Sequence, residues 1–176
     1  VGAARRAPWR TPRTFERPGE RHVNSTFRRP SARSRQHQQS HRREDTAKGH
    51  MIWRASLARI DRDGAFSNFP GLSRIHCIVS GAGLQLSNAD VQLVADPLKP
   101  LHFDGGLDLT ARLSLGVCEA FNLIYDPDRM SAEMKICDAG RHHFDDGIQL
   151  IFVLEGSLQL ETSAGVEQLS TGEGWQ

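Results

Sequence analysis

The chain has 176 residues, 22 Lys/Arg against 21 Asp/Glu and a formal net charge of +1. That total hides an uneven division: residues 1–50 hold 13 basic and 4 acidic side chains, residues 51–176 hold 9 and 17, so a basic tail adjoins a mildly acidic body. No apolar run approaches the roughly 20 residues of a membrane-spanning helix, and Cys77, Cys118 and Cys137 are too few and too scattered for a disulfide framework or a zinc knuckle.

Residues 1–50 carry few apolar side chains, chiefly Trp9, Phe15, Val23 and Phe27, and Pro8, Pro12, Pro18 and Pro30 interrupt any helix. Such a stretch buries too little apolar area to offset chain entropy and is expected to be disordered. A nucleic-acid arm and an organelle transit peptide are alternatives, since Arg-rich segments neutralise phosphates and transit peptides are Arg-rich. The plainer reading is a dispensable extension outside the natural protein, with the natural start expected near Met51, where patterned sequence begins. The three cysteines are read as small core hydrophobes in a reducing compartment. The body is expected to be soluble and cytoplasmic, with no membrane partner and no nucleic acid outside the tail.

From Ile52 onward the pattern is that of strands. Trp53–Ile60 fits a strand or a short helix. Ile75, Cys77, Ile78 and Val79 form an apolar run, and Ser80-Gly81-Ala82-Gly83 supplies a tight turn. Leu84 and Leu86 alternate with polar residues; Val91, Leu93 and Val94 follow and end at Pro97 and Pro100. Leu107, Leu109, Ala111 and Leu113 alternate again, and His102 is read as a loop residue. Asp126-Pro127-Asp128 reads as a turn, and His142-His143 as polar residues before an Asp145-Asp146-Gly147 turn.

The pattern then recurs. Ile148–Leu154 is an apolar run, Glu155-Gly156-Ser157 a turn and Leu158-Gln159-Leu160 a strand, as Leu84-Gln85-Leu86 follows Gly81–Gly83 earlier. Further turns are expected at Ser163-Ala164-Gly165 and Gly172-Glu173-Gly174. Two similar β units follow from this repeat. Val153-Leu154-Glu155-Gly156-Ser157-Leu158 resembles the turn of a cupin half-barrel. The resemblance implies an all-β fold of double-stranded β-helix barrels, RmlC-like jelly rolls, in a bicupin arrangement. The second barrel is expected to be incomplete, with closing strands beyond Gln176 and an exposed edge that favours association into a homo-oligomer.

Many cupins hold a metal through His-x-His and Glu. Counting back from Gly156, those places fall on His142, Phe144 and Gln149; counting back from Gly81, they fall on Ser67, Phe69 and Arg74. One ligand of three in one unit, and a cation in the other, do not make a metal site. No metal and no cofactor are therefore expected. Nor is there a Gly-x-Ser-x-Gly elbow, a Walker-type loop or a dinucleotide loop. His76 and Cys77, adjacent in a strand, point to opposite faces and cannot act as a pair.

The most specific stretch is Asp63-Gly64-Ala65-Phe66-Ser67-Asn68-Phe69-Pro70-Gly71-Leu72-Ser73-Arg74. It resembles the D-G-P-F-S-x-F-P-G-x-D-R motif of the HutD/Ves family. Phe103-Asp104-Gly105-Gly106 resembles that family's F-x-G-D, Gly116 through Phe121-Asn122-Leu123 its G-x-x-x-D-F-N-L, and Trp53 with Ser56 its W-x-x-S. The motifs keep the family's order from Met51 to about Tyr125. The chain departs at Ser73, Gly106 and Ala120, each standing where the family has Asp, and at Ile124-Tyr125-Asp126, where a basic pair is absent.

The resemblance implies a protein that tunes histidine utilisation or a stress response and binds a small carboxylate, such as a urocanate or formylglutamate-like metabolite. Arg74 and Asn122, with Ser67 and Phe69, are the expected ligand-binding residues; a guanidinium in a barrel mouth grips a carboxylate bidentately. A structural ion pair is the other reading of Arg74, with Phe66, Phe69, Phe103 and Phe121 as plain core. If Arg74 faces inward, its partner must be Asp104, Asp108, Glu119, water or a ligand. Two functional classes stay open: a non-catalytic binding protein, and a cupin enzyme such as a metal-independent isomerase or lyase.

Overall fold

Alternation decides Trp53–Ile60 in favour of a strand: Trp53 and Ala55 bury on one side, Ser56, Ala58 and Ile60 on the other. The computed structural model describes residues 6–8, 37–45, 50–144, 147, 149–163 and 165–176. Their regular elements are all strands: β1 (Arg6–Pro8), β2 (His37–Asp45), β3 (Met51–Ile60), β4 (Gly64–Phe66), β5 (Ser73–Ser80), β6 (Leu84–Ser87), β7 (Gln92–Ala95), β8 (Leu101–Asp104), β9 (Leu109–Leu113), β10 (Cys118–Tyr125), β11 (Ile151–Phe152), β12 (Ser157–Thr162), β13 (Gly165–Ser170) and β14 (Glu173–Trp175). The protein is all-β, and the pairings between these strands are antiparallel.

A five-stranded sheet, ordered β2-β3-β10-β5-β8, faces a four-stranded sheet, ordered β4-β9-β6-β7. Between them lies one core: Ile60, Phe66, Ile78, Leu84, Leu86, Ala95, Leu109, Ala111, Cys118 and Ala120. Burying side chains of this size stabilises by about 1.5–3 kcal/mol each for the larger ones. The opposite face of the five-stranded sheet is also covered. Trp53, Ala55, Ile75, Leu123 and Tyr125 pack there under Met130, Met134, Leu150 and Phe152. β11 pairs with β14, and β12 with β13, in the unit that follows.

Glycine turns set the register. Gly81 has φ of 100°, and a Cβ there would stand 2.5 Å from the carbonyl oxygen of Val117. Only glycine lets β5 turn away so close to the start of β10.

Several expectations are revised. β2 lies within the segment expected to be disordered, and it pairs with β3 from His37↔Arg59 to Asp45↔Met51. Edge strands tolerate polar sequence, because one side of their backbone faces water. Apart from 6–8, 37–45 and His50, the segment 1–50 lies outside the described residues, as do Asp145, Asp146, Ile148 and Ala164 of the two expected turns. His102 sits in β8, paired with Ile75, rather than in a loop. Cys77 and Cys118 are buried as expected, whereas Cys137 is exposed. Within the apolar run Ile148–Leu154, the strand is confined to Ile151–Phe152.

Candidate functional site

β5 places Arg74, His76 and Ile78 on one face, and Ile78 belongs to the core between the two sheets. Arg74 and His76 therefore point into that interior. On β10, Asn122 lies opposite His76 on one side and Ser56 on the other, and all three are buried. One row further along the strands, Ile124 lies between Arg54 and Arg74, and Arg74 faces Phe103 of β8.

The loop between β4 and β5 closes this end of the barrel. Its turn is pinned to the segment after β8: Phe69 N–H donates to Gly105 O at 2.6 Å, and Gly105 N–H donates to Leu72 O at 2.7 Å. A Cβ on Gly105 would meet that same Leu72 oxygen at 2.7 Å. The Phe-x-Gly and Phe-Pro-Gly motifs, distant in sequence, are thus two halves of one joint.

Arg74 is 4% exposed and makes three side-chain hydrogen bonds. Nε and Nη2 donate to Asn122 Oδ1 at 3.1 and 2.6 Å, and Nη1 donates to the carbonyl oxygen of Ser67 at 2.9 Å. The guanidinium carbon lies 4.0 Å from the centre of the Phe66 ring, and 5.8 Å from those of Phe69 and Phe103. The structure thus brings together Arg74, Asn122, Ser67 and Phe69. Ser67 contributes its backbone carbonyl. Phe66 and Phe103 join the set and line the cation as well as the core; Phe121 lies on the opposite face, against Phe152.

No carboxylate forms an ion pair with Arg74 among the described residues. Asp104 instead accepts from Gly106 N–H at 2.8 Å. Glu119 occupies the face of β10 opposite that of Ala120 and Asn122, and Asp108 is exposed. The protein partners of Arg74 are therefore an amide and a carbonyl, not the acidic residues that its charge suggested. Burial first, and the charge of Arg54 second, bring its pKa down to about 9, so it remains a cation at neutral pH. Cation–π contacts return about 0.5–2 kcal/mol, less than the several kcal/mol it costs to take an ion out of water. The guanidinium has five N–H donors, and the three hydrogen bonds to described residues leave two of them unspent among those residues.

His76 is the residue that sequence reasoning missed. No motif marks it, and its neighbour Cys77 points to the other face, but alternation along β5 places it on the same face as Arg74. Its Nδ1 lies 2.7 Å from Asn122 Oδ1. An amide oxygen only accepts, so the imidazole donates from Nδ1, and Nε2 carries a lone pair. Burial, then the charge of Arg74, outweigh the Asn122 hydrogen bond and bring its pKa down to about 4. The imidazole is neutral at physiological pH.

On the other face of the sheet, Tyr125 Oη and His102 Nε2 lie 2.8 Å apart. His142 is bonded within its own loop, to Asp138 O at 2.8 Å. Among the described residues no cluster of His, Cys, Asp or Glu is grouped as a metal would require.

An all-β fold of two facing sheets, with a buried arginine and an aromatic cage at one end, defines the class. The chain belongs to the HutD family, whose model matches residues 39–175. Among solved structures it is similar to HutD from Pseudomonas fluorescens SBW25 (formate condition), with 29% identity and a TM-score of 0.53 over 76% of this chain and 72% of that one. It is also similar to a conserved protein of unknown function from Pseudomonas aeruginosa PAO1, with 20% identity and a TM-score of 0.54 over 77% and 80%. A cupin domain of an XRE family transcriptional regulator from Enterobacter cloacae overlaps more partially, with 15% identity and a TM-score of 0.37 over 43% and 82%.

Proposed function

We propose that this protein is a non-catalytic, cytoplasmic member of its family that binds a small carboxylate metabolite at Arg74 and thereby tunes histidine utilisation or a stress response. One observation carries the reading: a buried guanidinium, stacked on Phe66, has hydrogen-bond partners but no carboxylate partner among the described residues. An incoming carboxylate would take up the unspent N–H groups and neutralise the charge. Asn122 holds the guanidinium in place, and Phe69 and Ser67 form the rim. The ligand class is urocanate or formylglutamate-like. We further read the unit from β11 to β14 as part of a second barrel, which makes the protein a bicupin.

The test is calorimetric titration of urocanate and formylglutamate into wild type, Arg74→Ala and Arg74→Lys. Wild type binds, Arg74→Ala does not, and Arg74→Lys recovers little, because an ammonium lacks the planar fork. Equal binding by wild type and Arg74→Ala would place the ligand elsewhere. A metal-independent isomerase or lyase is the second reading, favoured by the neutral imidazole of His76 beside Arg74; chemical change of a bound metabolite on prolonged incubation would establish it.

A further inference from the structure

Resting on that reading, we infer that His76 is a specificity residue of the same site: it accepts a hydrogen bond from the ligand, which must therefore carry an N–H or O–H donor a few bonds from its carboxylate. Three observations lead there. His76 is fully buried, and its Nε2 has no hydrogen-bond partner among the described residues. Buried polar atoms are nearly always paired, so an exception asks for a partner from outside the chain. The ring also cannot turn that atom elsewhere, because Nδ1 is committed to Asn122 Oδ1 at 2.7 Å.

The geometry fixes the spacing. Arg74 Nη2 and His76 Nδ1 contact the same Asn122 oxygen, at 2.6 and 2.7 Å. Both cationic fork and imidazole therefore belong to one compact cluster, on the same face of β5 and one row apart. Nδ1 is turned toward Asn122 of β10, so Nε2, on the other side of Cε1, points elsewhere, and Phe66 packs edge-on to the ring at 5.4 Å between centroids. A carboxylate held by Arg74 presents its α or β substituent to that nitrogen. A neutral imidazole with a bare Nε2 can only accept there. A ligand with a donor satisfies the site; one with an ether or ester oxygen sets two lone pairs against each other.

The polarity of this pairing makes it selective. A site built to hydrogen-bond a donor rejects the analogue lacking it, because the protein atom is then left buried and unmet. His76 differs in this from the phenylalanines around it, which accept any apolar surface of the right size. It also separates carboxylates by what they bear next to the charge, which Arg74 alone cannot do.

The experiment uses the whole chain without substitution. Two near-isosteric pairs are titrated by calorimetry, with acetate as reference: glycolate against fluoroacetate, and N-acetylglycine against acetoxyacetate. In each pair only the donor is lost. The ¹⁵N resonance of His76 Nε2 is followed in the same titrations. A donor-bearing member should bind at least about tenfold tighter than its partner, about 1.4 kcal/mol, and it alone should move the Nε2 resonance. Equal binding within both pairs, or a preference that leaves the Nε2 resonance unmoved, overturns the inference while leaving carboxylate binding at Arg74 intact. Failure of every probe to bind, acetate included, overturns both.

Discussion

Asn122 Oδ1 stands 2.6 Å from Nη2 and 3.1 Å from Nε of Arg74, so an amide oxygen occupies the position beside the guanidinium that an ion-pair partner would take. The side chain is the right shape for a carboxylate and lacks its charge. Arg74 is thereby oriented without being neutralised, and no carboxylate among the described residues meets its charge.

The first prediction exchanges those properties. Asn122→Asp keeps the shape and adds the charge, so Arg74 gains an internal partner and an external carboxylate loses its place. Binding should weaken at least about tenfold, as expected when a charge-assisted pair is pre-empted. The same substitution sets an anion against His76 Nδ1, so the imidazole pKa should rise from about 4. Calorimetry and a ¹H–¹³C titration of the imidazole read the two effects. Unchanged binding with an unchanged His76 titration would show that Asn122 does not control either group.

The second prediction concerns pH. The folded-state pKa of His76, about 4, lies below the ordinary 6.5. Between those values the unfolded chain binds the proton that the folded one refuses. The contribution of His76 to stability is therefore complete above about pH 6.5 and is lost as pH falls toward 4, by up to about 3 kcal/mol below it. His76→Leu removes the titrating group, so its stability should lack that component of the acid slope. Urea unfolding of both proteins at several pH values measures it. Parallel pH profiles would show that His76 does not titrate differently in the folded state.

The third prediction tests the joint that closes the barrel end. A Cβ on Gly105 would stand 2.7 Å from Leu72 O, a backbone atom that cannot swing aside. A Cβ on Gly106 meets Asp104 Oδ1 and Pro70 Cα at 3.2 Å, a tighter than ordinary but not impossible approach. Gly105→Ala should cost about 1–3 kcal/mol and weaken carboxylate binding, since Phe69 and Ser67 ride on the displaced loop. Gly106→Ala should cost less. Denaturant midpoints set the order, and a reversed order would show that the joint is not tight at Gly105.

Much of this was readable from residues. The Gly-Pro spacing of Asp63–Arg74 marks a loop entering a strand, and the alternation from Leu107 to Leu113 marks β9. Arg74 and Asn122 were singled out, yet their contact spans 48 residues and no local pattern encodes it. Charge suggests Asp104, Asp108, Glu119, water or a ligand as the partner of Arg74, and strand parity excludes Glu119. His76 needed only the alternation rule carried two residues along β5. The Arg-rich composition before Met51 suggests an unfolded chain, but composition alone does not separate a solvated edge strand such as β2 from a free chain.

β3 has β10 on one side and β2 on the other, and its pairing with β2 runs from Arg59 back to Met51. Removing β2 turns β3 into the edge of the five-stranded sheet. Its backbone groups would then be met by water, so the loss is smaller than that of a buried hydrogen bond, but the pairing and the cover over β3 are gone. An uncovered edge is also a template for pairing with another chain. A chain of residues 51–176 should therefore melt lower than one of residues 37–176, by about 2–4 °C for each kcal/mol lost. It should also scatter more light at equal concentration as edges pair. Thermal melting and static light scattering of the two chains side by side make the comparison. Coincident melting curves with equal scattering would show that β2 adds nothing to the sheet, and that the folded unit begins at Met51.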